Sequence, residues 1–170
     1  RTNKLVGHSN WVRTVAITPD SRLGVSSSYD NTVMVWDLES GQSLYTFGAH
    51  LNWVSAVATV SNTLIASASM NTIHIWKIYS GEIVQTLQHN SREINALAVS
   101  RDGKLLASGS VDRSVVIWDT GSGSTLVSFT AHDSMLTSLA FDPTGFYLFT
   151  SGWEPEIKIW DIKAQKLIAT

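Results

Sequence analysis

The chain has 170 residues, a formal net charge of −2, 44% hydrophobic and 15% charged residues, and no cysteine. That length allows one substantial core. The lack of cysteine excludes disulfides and thiolate-bound metal, and the interspersed charges form no basic stripe that would suit a phosphate backbone. No apolar run approaches the roughly 18 residues of a membrane-spanning helix, and no charged-then-apolar N-terminus reads as a signal peptide.

In chain order, short β-rich segments alternate with turn signals. Lys4-Leu5-Val6 leads to Gly7-His8, then VRTVAI, a Pro19-Asp20 turn, LGVSSS, TVMVW and SLYTF. Runs of four to eight residues rich in β-branched and aromatic side chains, bounded by such turns, read as antiparallel strands. The pattern then recurs. Ala49-His50, Gln88-His89 and Ala131-His132 each open a repeat. Apolar pairs follow at Val12/Val15, Val54/Val57, Ile94/Leu97 and Leu136/Leu139. TVMVWD, TIHIWK, SVVIWD and EIKIWD close the repeats at Trp36, Trp76, Trp118 and Trp160, spaced 40, 42 and 42 residues apart. From the first apolar residue to the closing Trp the count is 24, 22, 24 and 24, which puts two missing residues of repeat 2 at its Ser61-Asn62 turn. No segment sustains a helical period for three turns. The repeats run over about 1–42, 43–82, 83–123 and 124–170, with residues 1–6 read as an outer strand of a blade not otherwise present.

A 40–45-residue period with this ending marks an all-β propeller built from four-stranded antiparallel blades, each needing a neighbour to bury its faces. The chain resembles the WD40 (WD-repeat) β-propeller family over essentially its whole length. The resemblance rests on the His opening each repeat, the Asp six residues before the Trp, and the closing Trp-Asp. It implies an arc of a larger ring of about seven or eight blades. It also implies a buried hydrogen-bonded network in each blade. The network residues are His8, Ser26, Asp30 and Trp36 in repeat 1, and His89, Ser108, Asp112 and Trp118 in repeat 3. Repeat 4 has His132, Thr150, Glu154 and Trp160, with Glu replacing Asp. Repeat 2 keeps His50 and Trp76 but places Ala66 and Met70 at the Ser and Asp positions, and Lys77 after the Trp. It is therefore expected to be the least rigid blade. A buried indole N–H needs an acceptor, and a half-satisfied network is costly.

His8, Ser26 and Asp30 mimic a catalytic triad. The same trio recurs in repeat 3 beside a Trp, and a repeated structural bond explains that better than a repeated nucleophile. No catalytic, cofactor-binding or metal site is expected. The opening histidines lie one per blade, while metal ligands must converge on one ion. His74 reads as a packed or solvent-facing strand residue. The phosphate-loop pattern is absent, and Gly121-Ser122-Gly123 matches the turns at Ser40-Gly41 and Ser80-Gly81.

Residues left over once the repeat is removed carry the functional expectation. By resemblance, Trp11, Arg13, Tyr29, Trp53, Glu93, Asn95, Met135 and Trp153 rim the top face of the propeller. Trp, Tyr and Arg are the residue types most enriched at binding hot spots. Trp11 and Trp53 serve either a partner surface or packing between blades. The expected function is a non-catalytic scaffold docking a protein or peptide within a multiprotein complex, without nucleic acid or membrane, in the cytoplasm with the nucleus left open. The alternative is the sensor propeller of a larger NACHT or NB-ARC-type signalling NTPase. Missing blades or self-association would complete the ring.

Overall fold

The structure, a computed structural model, describes residues 4–89 and 93–170. Sixteen strands form four four-stranded sheets, and none of the described residues is helical. The first sheet comprises β1 (Val12–Ile17), β2 (Leu23–Ser28), β3 (Val33–Asp37) and β4 (Ser43–Phe47). The second comprises β5 (Ala56–Thr59), β6 (Leu64–Ser69), β7 (Thr72–Lys77) and β8 (Ile83–Gln88). The third comprises β9 (Ile94–Val99), β10 (Leu105–Ser110), β11 (Ser114–Asp119) and β12 (Thr125–Thr130). The fourth comprises β13 (Leu136–Phe141), β14 (Tyr147–Gly152), β15 (Ile157–Asp161) and β16 (Lys166–Ala169). Each sheet is a meander of sequential neighbours. Of the outer strand expected over residues 1–6, the first three lie outside the described residues, and Lys4-Leu5-Val6 joins no sheet.

The chain divides into two compact bodies, Arg1–Leu87 and Gln88–Thr170. In the first, Leu23, Val25, Val33 and Val35 of the first sheet meet Val54, Val57, Ile65, Trp76 and Ile78 of the second in one apolar cluster. Phe47 closes on Trp76 at 5.3 Å between ring centroids. Gly81 admits that approach. It has φ +69°, and a Cβ there would lie 2.6 Å from the Phe47 ring, so any side chain would be both strained and clashing. In the second body, Ala107, Val115 and Ile117 of the third sheet meet Leu136, Leu139 and Leu148 of the fourth. Burying one face of each sheet against its neighbour supplies the dominant stabilisation.

The missing residues of repeat 2 are not both in one turn. Its β5–β6 turn has three residues (61–63) between Val60 and Leu64, where the first sheet has four (19–22) between Thr18 and Leu23. Its β6–β7 hairpin has two residues between the paired Ser69 and Thr72, where the first sheet has three between Ser28 and Thr32. Each turn is one residue short. Met70 opens the tight hairpin at φ +52°, a backbone conformation that favours glycine.

Bulges recur at fixed places. Between the first two strands of the first, third and fourth sheets, Arg13, Asn95 and Thr137 are the extra residues. A bulge re-aims one side chain off the pleat, which sets these residues apart from the strand alternation.

The Asp that follows the Trp caps the last hairpin. Asp37 Oδ1 accepts from the Ser40 amide at 2.6 Å and its hydroxyl at 2.8 Å, and Asp119 does the same for Ser122 at 2.7 and 2.8 Å. Asp161 accepts from the Ala164 amide at 2.7 Å. In the second sheet Lys77 instead pairs with Glu82 at 2.7 Å across the same turn. The fourth residue after each of these positions has positive φ: Gly41, Gly81 and Gly123, and in the fourth sheet Gln165.

Candidate interaction surface and the buried networks

The closing tryptophans donate inward. In the first sheet Trp36 Nε1 donates to Ser26 Oγ at 2.8 Å. Ser26 Oγ lies 2.7 Å from His8 Nε2, and His8 Nδ1 lies 2.9 Å from Asp30 Oδ2. Asp30 also accepts from the Ser9 amide, the Thr32 amide and the Thr32 hydroxyl. Burial opposes its charge, but the bonds from Thr32, His8 and the backbone outweigh that and hold it well below the usual carboxylate range. The carboxylate accepts the hydrogen bond from His8 Nδ1–H, so Nε2 accepts from Ser26 and Ser26 accepts from Trp36. The chain has one consistent direction.

The fourth sheet repeats it with a longer acid. Trp160 donates to Thr150 Oγ1 at 2.9 Å, Thr150 Oγ1 lies 2.7 Å from His132 Nε2, and His132 Nδ1 is bonded to Glu154 Oε1. The His132 bond leads the causes that lower the Glu154 pKa. In the third sheet Trp118 donates to Ser108 at 2.9 Å, and Asp112 accepts from the Ser114 amide and hydroxyl. His89 is buried near the Trp118 ring. Burial lowers its pKa, and the Asp112 charge partly offsets this.

The second sheet corrects the sequence expectation. Ser67, not Ala66, occupies the hydroxyl position: Trp76 Nε1 donates to Ser67 Oγ at 2.7 Å, and His50 Nε2 lies 2.7 Å from the same oxygen. The short β6–β7 hairpin brings the hydroxyl to nine residues before the Trp instead of ten. Trp76 is therefore satisfied, and the premise that this blade lacks its acceptor falls. The signal was present in Ser67-Ala68-Ser69, which repeats Ser26-Ser27-Ser28 and Ser108-Gly109-Ser110. The carboxylate alone is missing. His74, read from the sequence as a packed or solvent-facing strand residue, packs: it stacks on His50 at 4.8 Å and 29°. Burial, with the neighbouring His74, lowers the His50 pKa to about 4.

The hydroxyls of these networks, including Thr150 in the fourth sheet, are all buried. Ser26, Ser67 and Ser108 are buried, and each oxygen already accepts an indole N–H.

The aromatic residues that the repeat does not use cluster elsewhere. In the first body Trp11 is 75% exposed and Trp53 37%. Tyr29 sits between them, 6.0 Å from Trp11 and 5.8 Å from Trp53. The bulged Arg13 lays its guanidinium 5.4 Å from the Tyr29 ring centre. The backbone fixes the row. The Tyr29 amide donates to the Trp11 carbonyl at 3.0 Å, and the Val54 amide to the Ser28 carbonyl at 3.0 Å, tying the second sheet's loop to the first. Trp11 is thus exposed in this body, while Trp53 leans on the first sheet through Tyr29.

The other four rim residues lie in the second body. Trp153 is 74% exposed and its amide donates to the Met135 carbonyl at 3.2 Å, the counterpart of the Tyr29–Trp11 bond. The Glu93 carbonyl accepts from the Val111 amide and Ser110 hydroxyl. Asn95 donates its carboxamide to the Leu136 carbonyl at 3.2 Å, so it fastens the third sheet to the fourth.

The family model described as WD domain, G-beta repeat matches residues 1–37, 41–77, 81–119 and 123–161. Among similar proteins, the small ribosomal subunit protein RACK1 of Glycine max is 33% identical over 213 aligned residues, covering 97% of this chain and 65% of that protein. The periodic tryptophan protein 2 homolog of Dictyostelium discoideum is 29% identical over 94% of this chain and 18% of its own length. The U3 snoRNP-associated protein-like EMB2271 of Arabidopsis thaliana is 30% identical over 96% of this chain and 30% of its own. The chain spans less than two thirds of the length of each of these relatives. Four matched repeats on four four-stranded antiparallel sheets place the chain in the WD40 repeat family.

Proposed function

We propose that the chain is part of a non-catalytic scaffold that docks a protein or peptide on the surface formed by Trp11, Arg13, Tyr29 and Trp53. The observation that carries this reading is the aromatic row itself. Two exposed indoles flank a tyrosine whose face also holds a guanidinium. Such a surface offers large apolar area at low side-chain entropy cost, with a cation for orientation. A net charge of −2 favours a protein partner over nucleic acid. The names of two relatives, a ribosomal subunit protein and a snoRNP-associated protein, support work inside a large assembly, cytoplasmic or nuclear.

The exposed apolar face of β1 fits the same reading. Val12, Val15 and Ile17 stand out from the first sheet beside Leu5 and Val6 and line a groove of about 520 Å³. A further blade would cover it, as the second sheet covers the other face. Affinity capture on the intact protein, repeated with Trp11, Arg13 and Trp53 changed to Ala, tests the docking surface. Loss of the captured proteins is expected. Their retention by a folded variant would sink the proposal.

A further inference from the structure

The short hairpin of the second sheet leaves two hydrogen-bond donors where the other networks hold an acid. In the first sheet Asp30 Oδ2 receives both His8 Nδ1 and the amide of the next residue, Ser9, at 2.9 and 3.0 Å. In the fourth, Glu154 Oε1 bonds His132 Nδ1, and the Asp133 amide also bonds this carboxylate. The equivalent donors of the second sheet are His50 Nδ1 and the Leu51 amide, and no described hydrogen bond engages either.

The proton on His50 is fixed by what surrounds it. Trp76 Nε1–H can only donate, so it takes one lone pair of Ser67 Oγ. The Ser67 hydroxyl hydrogen then has one acceptor within reach among the described residues, His50 Nε2 at 2.7 Å. That leaves the ring hydrogen on Nδ1. His50 as a residue is only 6% exposed, yet its Nδ1 is not a buried atom, and Leu51 is fully exposed, so both donors open to solvent at the edge of the sheet. His50 and Leu51 line a pocket of about 240 Å³ together with Asn52, Ser69, Met70 and His74 among others, none of them acidic. His74 backs the imidazole at 4.8 Å, with its own Nδ1 on Thr86 Oγ1 at 3.0 Å.

We infer that this pocket binds a carboxylate, one oxygen of which accepts from His50 Nδ1–H and the Leu51 amide in the place Asp30 fills in the first sheet. Two N–H donors, a vacant volume and no competing acid suit a small anion and repel a cation. The carboxylate belongs either to a small free acid or to an Asp or Glu of a bound segment. Trp53 stands three residues from His50 on the same loop, so a segment lying on the aromatic row passes close to the pocket.

The test is NMR of the isotope-labelled full chain, following the His50 ring and the Leu51 amide. The probes are sodium acetate against sodium chloride at equal ionic strength. A second pair is an end-blocked Gly-Asp-Gly tripeptide against its Gly-Asn-Gly counterpart. Acetate and the Asp peptide are expected to give saturable shifts at both sites and to move the His50 titration upward from about 4, because a bound carboxylate favours imidazolium. Chloride and the Asn peptide are expected to do neither. Tighter binding of the peptide assigns the site to a partner's side chain, whereas equal or tighter binding of acetate assigns it to a free acid. Met70→Asp, which tethers a carboxylate at the pocket wall, is expected to reproduce the shifts unaided and abolish the acetate response. Absent or non-saturable shifts with both acids would overturn the inference. So would chloride matching acetate, or an unchanged acetate response in Met70→Asp. Because the readout is local to His50, it stands or falls independently of partner docking on Trp11.

Discussion

Changing Ser67 to Ala removes one oxygen and strands two buried groups. Trp76 is 1% exposed, and its Nε1–H loses its acceptor. His50 Nε2 loses its donor in the same step. Each orphaned buried group costs about 1–3 kcal/mol, so the substitution is expected to cost about 2–6 kcal/mol. That is a large share of the roughly 5–15 kcal/mol that holds a typical domain folded. The assay is urea unfolding with linear extrapolation, run beside Ser80→Ala, an exposed control expected to change stability by less than about 0.5 kcal/mol. A double-mutant cycle isolates the bond. In a Trp76→Phe background the indole donor is gone, so Ser67→Ala strands only the imidazole and costs less than it does alone. If Ser67→Ala matched Ser80→Ala, or if its cost were the same with Phe at 76, the network reading of this blade would be wrong.

Other outcomes follow from the same geometry. His50 has a pKa near 4 when folded, against 6.5 for the free side chain. The unfolded chain therefore binds protons first as pH falls. Stability is full above about 6.5 and is lost between there and about 4, and a His50→Gln variant should flatten that slope in a pH series of unfolding curves. Asp30 is held low, so its contribution is complete above about pH 4 and lost only below it. Asp30→Asn should weaken the protein at neutral pH, but not in strong acid. Gln165 holds φ +52° at a position where three other turns use glycine, so Gln165→Gly should raise the unfolding free energy by about 0.5–1 kcal/mol. The apolar face of β1 should drive self-association that Val15→Lys relieves. A monomer of unchanged sedimentation with either residue would count against an uncovered blade face.

The repeat was plain in the sequence because periodicity survives any error in detail. Trp spacing, opening histidines and turn residues set four blades, and strands such as VRTVAI and SLYTF lie where the alternation of turns put them. The hydroxyl position of repeat 2 is hidden in the sequence for a physical reason. A net loss of two residues shows in a count, but the count does not say that one came from each hairpin. Only the paired register of Ser69 with Thr72 places Ser67 under Trp76. The aromatic surface was half visible. Trp11, Tyr29 and Trp53 stood out because the repeat did not need them. That they touch depends on stacking of the first two sheets and on the bulge that turns out Arg13, neither of which a linear pattern encodes. The vacant acid position has no linear mark beyond Met70.

The scaffold reading is tested most directly by placing a photo-activated cross-linking residue at position 11 of the intact protein, and separately at Tyr79, which is also exposed but lies outside the aromatic row. Covalent capture of a protein from position 11, absent from position 79 and lost when Arg13 and Trp53 become Ala, is the predicted result. Equal capture from both positions, or capture from position 79 alone, would contradict it.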